Sequence, residues 1–273
     1  MKKILRTFLL FILAAGPAMA ADGIAFITDM KGDVVVDGNL RPMLLAELAK
    51  GQKITVGRDS QASVMYIATG KEYVLKGASE YLVKDTEIAG SIMPPVARST
   101  EWRANSRVLA QVATTSAASV RMRSVSVTKA PPAPRAYPGE GNIATLQPVF
   151  RWHEAPAAEF TLLVVGQDKA VHVARSVAGG SYKLPAKLRP ETEYVWTAVA
   201  SGHEVGAGKF RTLSTEALAR IEKRRPSERA EFSDRLMFAL LLQEMGATQE
   251  ARESWARLSQ ERADLPELSA LAR

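Results

Sequence analysis

The chain has 273 residues, a formal net charge of +7 and no cysteine. The missing thiols exclude a disulfide scaffold, a cysteine nucleophile, an iron–sulfur cluster and every cysteine-based zinc site. Apolar residues make up 47% and charged residues 24%, a globular mixture long enough for two small domains or one large one.

Residues 1–20 read as a secretory signal peptide. Lys2, Lys3 and Arg6 give a positive start, and residues 8–15 form an uncharged apolar run. Ala18-Met19-Ala20 then supplies a small-x-small cleavage pattern behind Pro17. Cleavage is expected after Ala20. The run is shorter than the roughly 20 apolar residues of a spanning helix, and the longest later apolar stretch, residues 236–242, is shorter still. A lipid anchor at the new N-terminus would need a cysteine. The expectation is an exported protein without a transmembrane anchor after signal cleavage, periplasmic or released outside the cell. Export makes nucleic acid a poor partner.

Residues 21–90 predict one small β-rich module. Short apolar segments at 24–27, 34–36, 54–56, 64–67, 73–75 and 81–83 are punctuated by Gly32, Gly38, Gly51, Gly57, Gly70 and Gly77. Only residues 44–50 have helical character, and that stretch is short. The order Gly32-x-Val34, Leu48-x-x-Gly51-x-x-Ile54-x-x-Gly57, Ser60-x-Ala62-x-Val64, then Gly70 and Leu75, resembles the FecR domain over about sixty residues. Ala68-Thr69-Gly70 departs from that family's usual acidic residue before the glycine. FecR regulators carry a cytoplasmic segment and a transmembrane helix ahead of this module, where this chain has a cleavable-signal pattern. The resemblance therefore implies the fold and an envelope location, not transmembrane signalling.

Residues 91–140 read as a basic linker rich in Pro, Ser and Ala. They hold seven basic and two acidic residues, with Pro94, Pro95, Pro131, Pro132, Pro134 and Pro138. Arg103, Arg107, Arg121 and Arg123 are candidate contacts for an acidic partner or an anionic polymer. Trp102 is the aromatic residue that core packing explains least.

Residues 141–213 alternate like a β-sandwich. Phe150 and Trp152 share one face, as do Phe160, Leu162 and Val164. Residues 166–169 turn into a strand at 170–175, Gly179-Gly180 separates it from 181–184, and 194–200 is a further strand. Leu188-x-Pro190-x-Thr192-x-Tyr194-x-Trp196 resembles the fibronectin type III signature. The resemblance implies a tyrosine corner at Tyr194 and a core role for Trp152.

From residue 214 to 273 the apolar period changes from two to about 3.6. Ser214 caps a first helix that ends in Lys223-Arg224-Arg225 before Pro226. A second helix spans 227–245, with Phe232, Leu236, Ala239 and Leu240 on one side, and Gly246 terminates it. A third spans 248–262 and carries Ala251, Trp255 and Leu258. Phe238-Ala239-x-x-Leu242, Gly246, Ala251, Trp255, Leu258 and Pro266 resemble a single tetratricopeptide repeat. One repeat cannot bury its own apolar face, so this hairpin either packs on the preceding sandwich or meets a partner, with Trp255 a candidate contact.

No catalytic constellation emerges. His153, His172 and His203 fall at no metal-ligand spacing, Gly70-Lys71 lacks the rest of a phosphate loop, and there is no G-x-S-x-G elbow. No cofactor or metal is expected. Tyr66, Tyr73, Tyr81, Trp102 and Tyr182 are candidate stacking surfaces for sugars. The expectation is a mainly β fold with a C-terminal α-helical part: a FecR-like module, an immunoglobulin- or fibronectin type III-like sandwich, then a two- to three-helix hairpin. Its expected role is non-catalytic, an interaction or scaffold module of the bacterial cell envelope that binds another envelope protein. Two other readings are a peptidoglycan- or polysaccharide-binding protein and a soluble periplasmic sensor related to FecR-type sigma-factor regulators.

Overall fold

The computed structural model describes residues 23–102, Leu109, residues 136–227 and residues 229–272. The expected signal peptide and the linker residues Arg103, Arg107, Arg121 and Arg123 lie outside them. The described chain is mainly β, with three sheets followed by four helices.

The first unit holds β1 (Ala25–Lys31), β2 (Val34–Val36), β3 (Glu47–Leu48), β4 (Lys53–Val56), β5 (Gln61–Tyr66), β6 (Lys71–Lys76), β7 (Ser79–Val83), β8 (Ile88–Gly90) and β9 (Val96–Ser99). They form a five-stranded sheet, β3-β1-β5-β6-β9, and a four-stranded sheet, β2-β4-β7-β8. Between the sheets lie Ile27, Val34, Ile54, Val56, Val64, Tyr73, Leu75 and Tyr81. β9 pairs with β6 through Val74↔Val96 to Lys71↔Ser99, so the unit extends into the stretch that reads as linker. Residues 44–50 form no helix. Leu45 turns the chain at φ +66 and donates its N–H to Ile27 O at 2.8 Å; β3 then pairs with β1. Tertiary pairing overrides the local helical character.

β1 and β5 are buried on both faces. Ala25, Ile27, Ala62 and Val64 point between the sheets. Phe26 and Met65 point the other way, into a second core shared with the helices. Strands covered on both sides lose the apolar/polar alternation of a half-exposed sheet.

The second unit is one five-stranded sheet, β10-β14-β13-β11-β12, made of β10 (Asn142–Ile143), β11 (Val149–Val164), β12 (Ala170–Lys183), β13 (Glu193–Ala200) and β14 (His203–Thr212). Register shifts break the β11–β12 ladder at four places, and only residues 159–164 of β11 also pair with β13. Such bulges bend a strand, and the bent hairpin encloses Phe150, Trp152, Phe160, Leu162, Tyr194, Trp196 and Phe210. Gly179-Gly180 does not separate two strands. β12 runs through it, because a Cβ at Gly180 would sit 2.8 Å from Trp152 O and only glycine permits that approach. Ser201 and Gly202, both at positive φ, form the two-residue loop joining β13 to β14. The expected tyrosine corner is in place: the Arg189 N–H donates to Tyr194 Oη at 3.0 Å.

The helices are α1 (Thr215–Lys223), α2 (Phe232–Glu244), α3 (Thr248–Glu261) and α4 (Pro266–Leu271). Ser214 Oγ caps α1 by accepting the Ala217 N–H at 3.2 Å, and Gly246 at φ +72 follows α2. α2 is apolar nearly all round, with Phe232, Leu236, Met237, Phe238, Leu240, Leu241 and Leu242 buried; a helix of that kind belongs inside. Its surroundings are Phe26, Leu44, Leu45, Met65, Trp102, Leu109, Trp255, Leu258 and Leu268. The hairpin's apolar face is therefore covered by the first β unit, not chiefly by the second unit beside it.

Candidate functional site

Four places concentrate chemistry: the seam between the first unit and the helices, a second seam between the helices and the second unit, a basic groove opening from the first seam, and a larger cleft beside α4.

The seam is built on Glu72, 1% exposed on β6. A bulge between Ile27 and Asp29 leaves Thr28 unpaired in the ladder, and its hydroxyl donates to Glu72 Oε1 at 2.7 Å. Ser233 Oγ, on α2, donates to Glu72 Oε2 at 3.2 Å. The Arg98 guanidinium on β9 bonds Glu72 through Nε and Asp234 through both terminal nitrogens, at 3.0 and 3.2 Å. Trp102 Nε1 donates to Asp234 Oδ1 at 3.1 Å. A buried charge is tolerated when it is paired and hydrogen-bonded in this way. At the other end of the seam Arg262 bonds Asp29, Met30 O and Asp264. Its hydrogen bonds, Asp264 first and Asp29 next, hold the guanidinium above its usual value, while those from Arg262 hold the Asp264 carboxyl below its own.

A second seam joins the helices to the second unit. Glu250 Oε1 accepts Tyr137 Oη and the Ala144 N–H, both at 2.9 Å. Gln249 Oε1 accepts the Gly139 N–H at 2.8 Å, and Asn142 Nδ2 donates to Met245 O at 2.8 Å. Burial pushes both the Tyr137 phenol and the Glu250 carboxyl upward. Glu250 Oε2 is buried without a hydrogen-bond partner among the described residues.

The groove encloses about 300 Å³, its lining four basic residues, Arg98, Lys223, Arg224 and Arg225, and two acidic ones, Glu101 and Asp234, around Thr100 and Trp102. Basic side chains at the C-terminal end of α1 suit the helix dipole, and Pro226 stops the chain from continuing the helix. The Arg224 guanidinium lies 6.0 Å from the Trp102 ring centre, and that of Arg225 5.5 Å from the Phe238 ring. Lys223 faces Glu101 at 3.5 Å across exposed surface, a weak pair that solvent screens. Exposed cations on an aromatic floor can hold carboxylates, phosphates or sulfates.

The cleft beside α4 encloses about 630 Å³. Met30, Pro42, Met43, Leu265 and Pro266 give it apolar walls, and Asp33, Arg41, Asp264 and Glu267 bring charge.

The residues expected to meet a partner fare differently. Trp102 and Trp255 are 8% and 1% exposed. Both point inward, Trp102 as the floor of the groove and Trp255 into the helical core, where its Nε1 donates to Gln243 at 3.1 Å. Trp255 offers no ring to another molecule, and Trp102 offers only the part that lines the groove. Tyr66, Tyr73 and Tyr81 are likewise buried in the first unit; Tyr182 is half-buried, stacked on His172 with a 2.6 Å Nε2···Oη contact. Sequence reasoning missed Glu72, Ser233 and Asp234. The one available signal was Glu72 within an otherwise apolar-rich strand, and a charge there also suits a solvent-facing position. Among the described residues no group of His, Asp and Glu is placed to hold a metal, and no helix is long and apolar enough to cross a membrane.

No family model matches the chain, and no curated protein matches it.

Proposed function

We propose that this chain is a non-catalytic interaction protein of the bacterial envelope. In this reading the FecR-like and fibronectin type III-like units act as a spacer, and the basic groove at Trp102 receives an acidic segment of another envelope protein. The observation that carries the proposal is the groove. It gathers Arg98, Lys223, Arg224 and Arg225 against Glu101 and Asp234 over a buried aromatic floor, with Lys223 and Arg225 held in exposed ion pairs, at the point where the chain passes into the arginine-bearing stretch 103–123. The signal-like residues 1–20 support the periplasmic placement. The wall-binding reading has less support, because Tyr66, Tyr73, Tyr81 and Trp102 are consumed by the protein's own cores.

The test is in-cell crosslinking and recovery of the full chain beside a variant with Lys223→Glu, Arg224→Glu and Arg225→Glu. These side chains lie at the protein surface, so the variant is expected to fold. A defined envelope protein recovered with the parent and lost with the variant supports the proposal. Equal recovery by both removes the groove as the contact. Pelleting of both proteins with purified sacculi at low salt, without a protein partner, replaces the proposal with the wall-binding reading.

A further inference from the structure

The cleft beside α4 is separate from the basic groove and carries charges that the fold leaves unspent. Asp264 is neutralised by Arg262, so it contributes little to a ligand. Glu267 differs: its side chain belongs to a residue only 4% exposed. Oε1 accepts the Leu44 N–H at 3.0 Å, while Oε2 has no partner among the described residues. A carboxylate can accept at both oxygens, so Oε2 keeps the capacity to accept from a donor that enters the cleft. Asp33 and Arg41 are exposed at the same cleft, and among the described residues neither side chain has a hydrogen-bond or ion-pair partner. Between these charges the walls are Met30, Pro42, Met43, Leu265 and Pro266, flexible thioethers and rigid prolines that accept an aliphatic body. A cavity of this size, apolar with a few convergent polar groups, has the usual character of a small-ligand site.

We propose that this cleft binds a small aliphatic zwitterion, its ammonium held by Glu267 and Asp33, its carboxylate by Arg41 and its stem by the methionine and proline walls. The ammonium answers the idle carboxylate oxygen, and a carboxylate matches the fork of the guanidinium. The source is a free small molecule; the termini of a peptide share the same chemistry and form a separate arm of the test.

The experiment is calorimetric titration of the full chain with 6-aminohexanoate, against hexylamine, hexanoate and tetra-alanine. Binding of 6-aminohexanoate is expected, with each single-charge analogue weaker by about tenfold or more, the value of one charged hydrogen bond. Glu267→Gln keeps an acceptor for Leu44 and is expected to abolish the advantage over hexanoate. Arg41→Gln is expected to abolish the advantage over hexylamine. Thermal melts of both variants separate loss of binding from loss of folding. Tighter binding of tetra-alanine would reassign the cleft to peptide ends and overturn the small-molecule source. The proposal as a whole is overturned by no binding of any probe, or by equal binding of all of them to parent and Glu267→Gln protein.

Discussion

Arg98 and Asp234 lie 136 residues apart in sequence, yet their side chains meet through two parallel hydrogen bonds of 3.0 and 3.2 Å. The same guanidinium reaches Glu72, which Thr28 and Ser233 also bond. One cation thus ties the terminal strand of the first unit to the helix that covers it.

The first prediction follows from this network. Glu72→Ala removes one of the three residues that Arg98 bonds, leaving Asp234 and Ser233, and strands the hydroxyl of Thr28. Breaking a buried pair costs about 3–5 kcal/mol. Arg98 is 33% exposed and keeps Asp234, so the expected loss is at the low end, about 3 kcal/mol. Denaturant titration measures it. A double-mutant cycle with Asp234→Ala is expected to show coupling, because both carboxylates share one guanidinium; strict additivity would mean that the network is two independent contacts.

Removal of the helices gives the second. Phe26, Leu44, Leu45 and Met65 are buried only because the helical layer lies on them. A chain ending at Thr212 would expose this apolar face, and each such side chain loses about 1.5–3 kcal/mol of burial. The truncated protein is expected to bind a hydrophobic dye and to aggregate, while the parent does neither. A soluble, monomeric truncation with native-like circular dichroism would show that the first unit stands without its cover.

Much of this architecture was legible in the sequence, and what was not has a common cause. The segments at 24–27, 34–36, 54–56, 64–67, 73–75 and 81–83 are strands because alternation and glycine turns are local properties. The Ser214 cap, the Gly246 stop and the Tyr194 corner are local too. The far side of the central sheet was not legible: Met65 and Glu72 sit where a one-sided strand faces water, and only the distant α2 makes that face interior. For the same reason Trp255 read as a contact for another protein. It lies in a core that this chain builds itself, one that also takes in Phe26 and Met65 of the first unit. Residues 44–50 failed in the opposite sense, since pairing with β1 outweighs their own helical preference.

The third prediction concerns Gly70. It has φ +68, and a Cβ there would lie 1.6 Å from Trp102 O. Thr100 Oγ1 also donates to Gly70 O, so the turn carries the segment that delivers Trp102 to the groove. Gly70→Ala forces both a strained backbone and a displaced carbonyl. The expected result is a loss of several kcal/mol, at the upper end of single substitutions, with a shift in tryptophan fluorescence. Gly38→Ala is the control: it also has positive φ but meets nothing within 4 Å, so its cost is expected to be strain alone, about 1–2 kcal/mol.

The last prediction is a pH dependence centred on Glu250. Burial raises its carboxyl above the ordinary value, against the hydrogen bonds from Ala144 and Tyr137 that favour the ionised form. A carboxyl raised on folding holds its proton more tightly in the folded chain. Its contribution to stability is therefore complete below the ordinary carboxylate range and is lost as pH rises through the raised value. The Asp264 and Glu261 carboxyls are lowered by hydrogen bonds from Arg262 and Arg235 and act in the opposite sense, losing their contribution as pH falls. Glu250→Gln keeps an oxygen for Tyr137 and Ala144 while removing the titration, so subtracting the two stability profiles isolates this one group. The difference, parent minus variant, is expected to decline with rising pH across and above the ordinary carboxylate range and then level off. A flat difference would mean that the carboxyl titrates in the folded protein as it does in the unfolded chain. A difference that rises with pH would mean that the hydrogen bonds, and not burial, set its value.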